Sequence, residues 1–358
     1  MEIVTTPDNP APPGVTPAII RAVDGLSLRV LRWHAPSPRG TIVIAPGRAE
    51  FVEKYFETVG DLLDRGFAVV AFDWRGQGLS ARELRNRSKG HIDDFSLYER
   101  DLDALVQQAL EPFCPRPWFA LGHSMGASVL IAQARAGRSP FERLVLSAPM
   151  IGIRGLRFPL GAKLLAEGLD IAGFGGAFVP GGRARPYLSQ PFERNVLTSD
   201  RARYERCAGV LAACPDIGLG DPTIGWINAA FRLMDQFADP NYPRGASTPT
   251  LIVAAGRDRV VDTRATERFA SRLKAGRALV LPHCLHEILL ERDEFRQQFW
   301  AAFDCFVPGT AERSIIAANP QTASETVRRR SAWRLAAGLL SRSRGARPPH
   351  TSADPRPR

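Results

Sequence analysis

Gly122-His123-Ser124-Met125-Gly126 sets one serine between two glycines, each two residues away. A G-x-S-x-G run puts its serine on a sharp strand-to-helix turn, in a strained backbone that neighbouring glycines leave room for. The flanks suit this: Trp118-Phe119-Ala120-Leu121 reads as a strand, and Ala127 to Ala136 (ASVLIAQARA) as a helix. A serine at a helix N-terminus also lies where the helix dipole favours the negative charge of a tetrahedral intermediate. The chemistry implied is nucleophilic attack by the Ser124 hydroxyl.

Such a serine needs a general base and an acid to orient it, and behind a turn of this type the acid and then the histidine follow in chain order. Leu251 to Gly256 (LIVAAG) reads as a strand running into Arg257-Asp258. An acid just past a strand's C-terminal end is where α/β sites gather their groups, so Asp258 is the candidate. Asp262 suits the cap of a helix starting at Thr263. The base is His283 or His286, both beyond the strand Ala278-Leu279-Val280-Leu281. A position several residues past the strand, entering the next helix, favours His286. His286-Glu287 is not a zinc motif, since H-E-x-x-H would need histidine where Leu290 stands, and no metal or organic cofactor is expected.

The developing oxyanion needs two main-chain N–H donors, one from the residue after the nucleophile and one from the loop after the third strand. These are Met125 and, in Pro46-Gly47-Arg48-Ala49-Glu50, Arg48. Glu50 and Trp226 are the candidates for substrate contact. A rival pattern, Gly76-Gln77-Gly78-Leu79-Ser80-Ala81, fits G-x-G-x-x-A with Asp101 downstream. The charged run Arg82 to Lys89 lacks the periodicity of a packed dinucleotide-binding helix, so this is read as a sharp turn.

The elements that must position these residues alternate. Short apolar runs at Thr41–Ala45, Phe67–Phe72, Trp118–Leu121, Leu144–Leu146, Leu251–Ala254 and Ala278–Leu281 are separated by helical periodicity at Glu50–Arg65 and Leu97–Leu110. Near-continuously apolar strands alternating with helices imply a mostly parallel sheet covered on both faces. From about 149 to 247 the rhythm breaks. Helices are expected near Leu160–Leu169, Arg201–Ala213 and Ile224–Met234, with no strand, which makes this stretch a helical cap inserted between core segments 1–148 and 248–306.

The net charge of +10 is unevenly placed. The tail 307–358 holds ten Arg against Glu312, Glu325 and Asp354, a net +7 that leaves only +3 for the preceding 306 residues. The basic character belongs to the tail and not to the body, which weakens the argument for a DNA-binding domain, and no nucleic-acid partner is expected. The tail is expected to be largely disordered, with a basic amphipathic helix at Val327–Leu340 suited to peripheral contact with an anionic membrane. Five cysteines without C-x-x-C spacing suggest reduced thiols. With no long apolar segment and no export signal, the chain is expected in the cytoplasm, with peripheral contact at the inner membrane face through the tail.

Asp73-x-Arg75-Gly76-x-Gly78-x-Ser80, the Ser124 motif, Gly256-Arg-Asp258-Arg-Val-Val-Asp262 and His286-Glu287 together resemble the bacterial lysophospholipase and monoacylglycerol lipase group, serine aminopeptidase S33-like hydrolases of the α/β-hydrolase superfamily. The resemblance spans about Ala22 to Phe306, and Asn195-Val-Leu-Thr-Ser-Asp200 is similar to the lysophospholipase branch. It implies an α/β-hydrolase fold, a triad of Ser124, Asp258 and His286, oxyanion donors Arg48 and Met125, and a lipid ester substrate. Pro46-Gly47 departs from the His-Gly usual in the monoacylglycerol lipase branch. The alternative is an esterase of small non-lipid esters, or a related amide or peptide hydrolase.

Overall fold

In the computed structural model, residues 2–156 and 158–308 are described. The expected tail helix at Val327–Leu340, and with it the membrane contact, lies outside them.

Alternation along the central strands explains why they bury both faces. In β3 (Thr41–Ala45), Ile42 and Ile44 point into one apolar cluster while Val43 and Ala45 point into another. Strands β4 (Ala68–Phe72), β5 (Trp118–His123), β6 (Arg143–Ser147) and β7 (Thr250–Ala255) divide their side chains in the same way. One cluster is covered by α1 (Phe56–Asp64), the other by α2 (Ser96–Leu105) and α3 (Ser124–Arg135). Such two-faced burial is what a parallel sheet requires.

Two further strands precede these, β1 (Val15–Arg21) and β2 (Ser27–Trp33), joined through Asp24-Gly25, where Gly25 takes a φ of 83°. With β8 (Gly276–Leu281) they complete an eight-stranded sheet in the order β1-β2-β4-β3-β5-β6-β7-β8. The β1–β2 and β2–β4 pairings are antiparallel and all others parallel.

Between β6 and β7 lie α4 (Pro159–Leu169), α5 (Arg201–Ala213) and α6 (Ile224–Ala238). The segment meets the loop after β7 at the isolated Ile153–Val261 bridge and contributes no strand among the described residues. After β7 come α7 (Thr263–Ala270) and, beyond β8, α8 (Asp293–Phe306).

Two helical expectations change in detail. Glu50–Arg65 is not one helix: Val52–Tyr55 is a 3-10 turn that precedes α1. The Leu97–Leu110 helix starts at Ser96 and widens into a π-turn at Val106–Leu110.

Candidate active site

β5 runs directly into α3, and Ser124 at the junction takes a left-handed φ of 50°. Both flanking glycines are steric requirements of that turn. A Cβ on Gly126 would stand 2.3 Å from the Ala45 carbonyl oxygen and 2.4 Å from that of Pro46. A Cβ on Gly122 would meet the Ala127 Cα at 2.8 Å. The Ser124 motif is thus wedged against the end of β3.

His286 and Asp258 reach Ser124 from the ends of β8 and β7. His286 Nε2 lies 3.1 Å from Ser124 Oγ, and its Nδ1 lies 2.7 Å from Asp258 Oδ2. Asp258 Oδ1 accepts from the Val260 and Val261 N–H groups at 2.7 and 2.9 Å. Burial would push the Asp258 carboxyl up, but His286 and these two donors hold it below the ordinary aspartate value. Asp262 instead caps α7, accepting from Ala265 N–H at 3.1 Å, and His283 is exposed.

The loop Pro46–Glu50 faces Ser124 across the cavity. Ala49 adopts a φ of 60° and donates its N–H to Gln77 Oε1, while Trp74 Nε1 holds the Pro46 carbonyl at 2.8 Å. The main-chain N–H groups of Arg48 and Met125 have no acceptor among the described residues. Both remain available to an oxygen placed at Ser124.

Glu50 borders the cavity, yet both its oxygens are already engaged. Oε2 accepts from Gly47 N–H and Tyr55 OH, each at 2.5 Å, and Oε1 from Lys54 Nζ at 2.6 Å. Its carboxylate shapes the loop instead of reaching into open space. Lys54 also donates to Glu287 Oε1 at 2.5 Å, so one buried ammonium ties the Arg48 loop to the residue after His286. Burial alone would raise Glu50 and lower Lys54. Their pairing reverses both, leaving Glu50 low and Lys54 above the usual lysine range. Glu287, sharing the same ammonium, is raised by its burial. His123 completes the group. Its ring centroid is 4.8 Å from that of His286, and burial drives its pKa down to about 4, so the ring is neutral. Lys54 and Tyr55 belong to no sequence motif, and the pairing of Lys54 with Glu287 spans 233 residues of chain.

A cavity of about 510 Å³ opens above Ser124 and His286. Trp226, expected as a substrate contact, forms part of its wall and donates its indole N–H to Tyr98 OH at 3.3 Å. Met150, Ile153, Leu197 and Ile227 make much of the remainder apolar. A larger hollow of about 720 Å³ lies beside Asp262 and α4, but Ser124, Asp258 and His286 are not among its walls. Among the described residues no group of three or more His, Cys, Asp or Glu is arranged to hold a metal ion. Asp101, at the ribose-acid spacing of the rival glycine motif, is buried against Arg75 at 2.7 Å. A Cβ on Gly78 would meet the Asp73 carboxylate. That stretch is a packed turn.

The sheet order and a serine at the β5–α3 turn, with acid and histidine after β7 and β8, define an α/β-hydrolase. Residues 36–293 match the family described as serine aminopeptidase, S33, and the chain belongs to this family. It is 35% identical to lysophospholipase L2 of Escherichia coli strain K12, over 76% of this chain and 82% of that protein. It is 29% identical to the probable lysophospholipase L2 of Haemophilus influenzae, over 79% and 88% of the two chains. In three dimensions it resembles a soluble variant of the Saccharomyces cerevisiae monoglyceride lipase, with TM-score 0.63, 18% identity and coverage of 80% and 94%. No helix among the described residues is long and apolar enough to cross a membrane.

Proposed function

We propose that the protein hydrolyses the carboxylic ester of a lysophospholipid or monoacylglycerol through an acyl-enzyme on Ser124. The observation that carries this reading is the hydrogen-bonded chain Ser124–His286–Asp258 at the floor of an apolar-walled cavity. The names of the relatives support the lipid class.

His286 Nε2 takes the Ser124 proton as Oγ attacks the ester carbonyl carbon. Asp258, kept ionised, holds the imidazole tautomer and stabilises the imidazolium that forms. The tetrahedral oxyanion takes hydrogen bonds from the Arg48 and Met125 N–H groups. His286 then protonates the leaving alcohol oxygen, which departs and leaves an acyl-serine. Water, deprotonated by His286, attacks that ester, and collapse releases the fatty acid and returns the proton to Ser124.

A fluorophosphonate probe tests the nucleophile. Wild type should be labelled and Ser124→Ala should not; equal labelling of both would remove Ser124 from the mechanism. A kcat/KM series over acyl length tests the substrate class, since a lipid enzyme gains with chain length and an esterase of small esters does not.

A further inference from the structure

Four arginines stand around the cavity, more positive charge than a neutral ester calls for. Arg48 is the innermost. Its Nη2 donates to the Gly220 carbonyl at 2.9 Å, its guanidinium lies 5.1 Å from the Trp226 ring centroid, and its buried Nε has no partner. No carboxylate lies within ion-pairing distance of it among the described residues. A guanidinium partly withdrawn from water without an anion is an unfavourable arrangement that an anionic ligand relieves. Arg183, Arg185 and Arg194 line the same cavity from the inserted segment and are exposed. Arg185 is folded back onto Ser189, 2.8 Å from its Oγ. Arg183 and Arg194 form no ion pair among the described residues.

The acids of this cavity do not balance these cations. Glu50 and Glu287 already share Lys54. Among the described residues that line it, Asp221 is the one acid left, and its Oδ2 accepts from the Arg183 main-chain N–H at 2.8 Å. The walls therefore present an excess of guanidinium groups beside an apolar surface. That combination fits an amphiphile with a phosphate at one end, because planar guanidinium forks match phosphate oxygens pairwise.

We propose that Arg48, Arg183 and Arg194 form a phosphate subsite that selects acylglycerols carrying a phosphate over neutral monoacylglycerols. This rests on the ester hydrolysis proposed above and names the head group that the same cavity takes. Phosphate bound there leaves the acyl ester directed at Ser124 and the acyl chain along the Met150–Ile227 wall.

The test uses the full-length chain and three substrates below their critical micelle concentrations: a lysophosphatidic acid, the 1-monoacylglycerol with the same acyl chain, and p-nitrophenyl butyrate. Wild type is expected to prefer the phosphate substrate. Arg183→Ala/Arg194→Ala should lower the ratio of kcat/KM for phosphate over neutral lipid by ten-fold or more, chiefly through KM. Added salt should compress the wild-type ratio, since the two outer arginines are exposed. Arg48→Lys, which keeps the charge and loses the fork, should lower the ratio as well. Inorganic phosphate that inhibits wild type and not the double variant would support the subsite independently of any lipid. A ratio unchanged within two-fold in both variants, or an equal loss on both lipids, overturns the proposal. Absence of turnover on all three substrates by wild type would instead overturn the ester-hydrolase reading.

Discussion

Two kinds of ion pair distinguish the sheet side of this protein from the segment between β6 and β7. On the sheet side, Lys54 sits between Glu50 and Glu287 with side chains only 5–6% exposed. On the inserted side, Arg201 pairs with Glu193 and Glu205 at 53–65% exposure. The same contrast holds for apolar groups. The strands β2 to β7 bury nearly everything they carry, while α4 and the turn after it leave Leu160, Leu164 and Ile171 at 59–81% exposure. The difference teaches where geometry is enforced. Buried charge is held by a low-dielectric surround and fixes the Arg48 loop and the His286 loop together; solvated charge on the insertion leaves that wall free to vary.

The contrast can be broken in order of expected effect. Asp258→Asn should lower kcat by about 10⁴, by favouring the wrong imidazole tautomer, with the fold intact by circular dichroism. Lys54→Met should destabilise the protein by about 3–5 kcal/mol in denaturant unfolding, since it leaves two buried carboxylates sharing no cation. A loss below about 1 kcal/mol would place that trio with ordinary surface pairs.

The third test uses pH. His123 has a folded pKa of about 4 against 6.5 for the free side chain. The unfolded chain therefore binds a proton that the folded chain refuses. The stability contributed by keeping His123 neutral is complete above pH 6.5 and is lost as pH falls toward 4. Between pH 7.5 and 5, His123→Gln should reduce the decline in unfolding free energy by about 2 kcal/mol. Last, Arg201→Ala should leave Tm unchanged within error, because its partners remain in water.

What could be read beforehand divides along the same line. Ser124, Asp258 and His286 were legible because each sits where a strand ends, a signal carried by a few adjacent residues. The three helices of the insertion were also legible from local periodicity. The β1–β2 hairpin was not, because β1 is an edge strand with mixed exposure and no clean apolar run. The Lys54 trio escaped as well: Lys54 and Glu287 are 233 residues apart in the chain, and no local pattern announces a pair formed by tertiary folding. Glu50 was picked out as a substrate contact because of its place in the loop; its engagement with Gly47, Lys54 and Tyr55, which takes both its oxygens, could not be read locally. Those partners also explain the break in the expected 50–65 helix, where a 3-10 turn carries Lys54 and Tyr55 against Glu50.

The insertion leaves and re-enters the sheet on neighbouring strands, since β6 pairs with β7 from Leu144–Thr250 to Ser147–Val253. Because the pair is parallel, its ends lie at opposite ends of the two strands: Ser147 is three residues, about 10 Å along the strand, from Leu144, the partner of Thr250, besides the inter-strand spacing of about 4.8 Å. In chain-entropy terms it is a crossover closed between neighbouring strands, and closure entropy grows only with the logarithm of its length. Exchanging about a hundred residues for about ten would change the closure term by roughly 2 kcal/mol. A segment so attached can be lengthened, shortened or traded without redrawing the sheet, which makes the wall above Ser124 the modular part of this protein and the floor its fixed part.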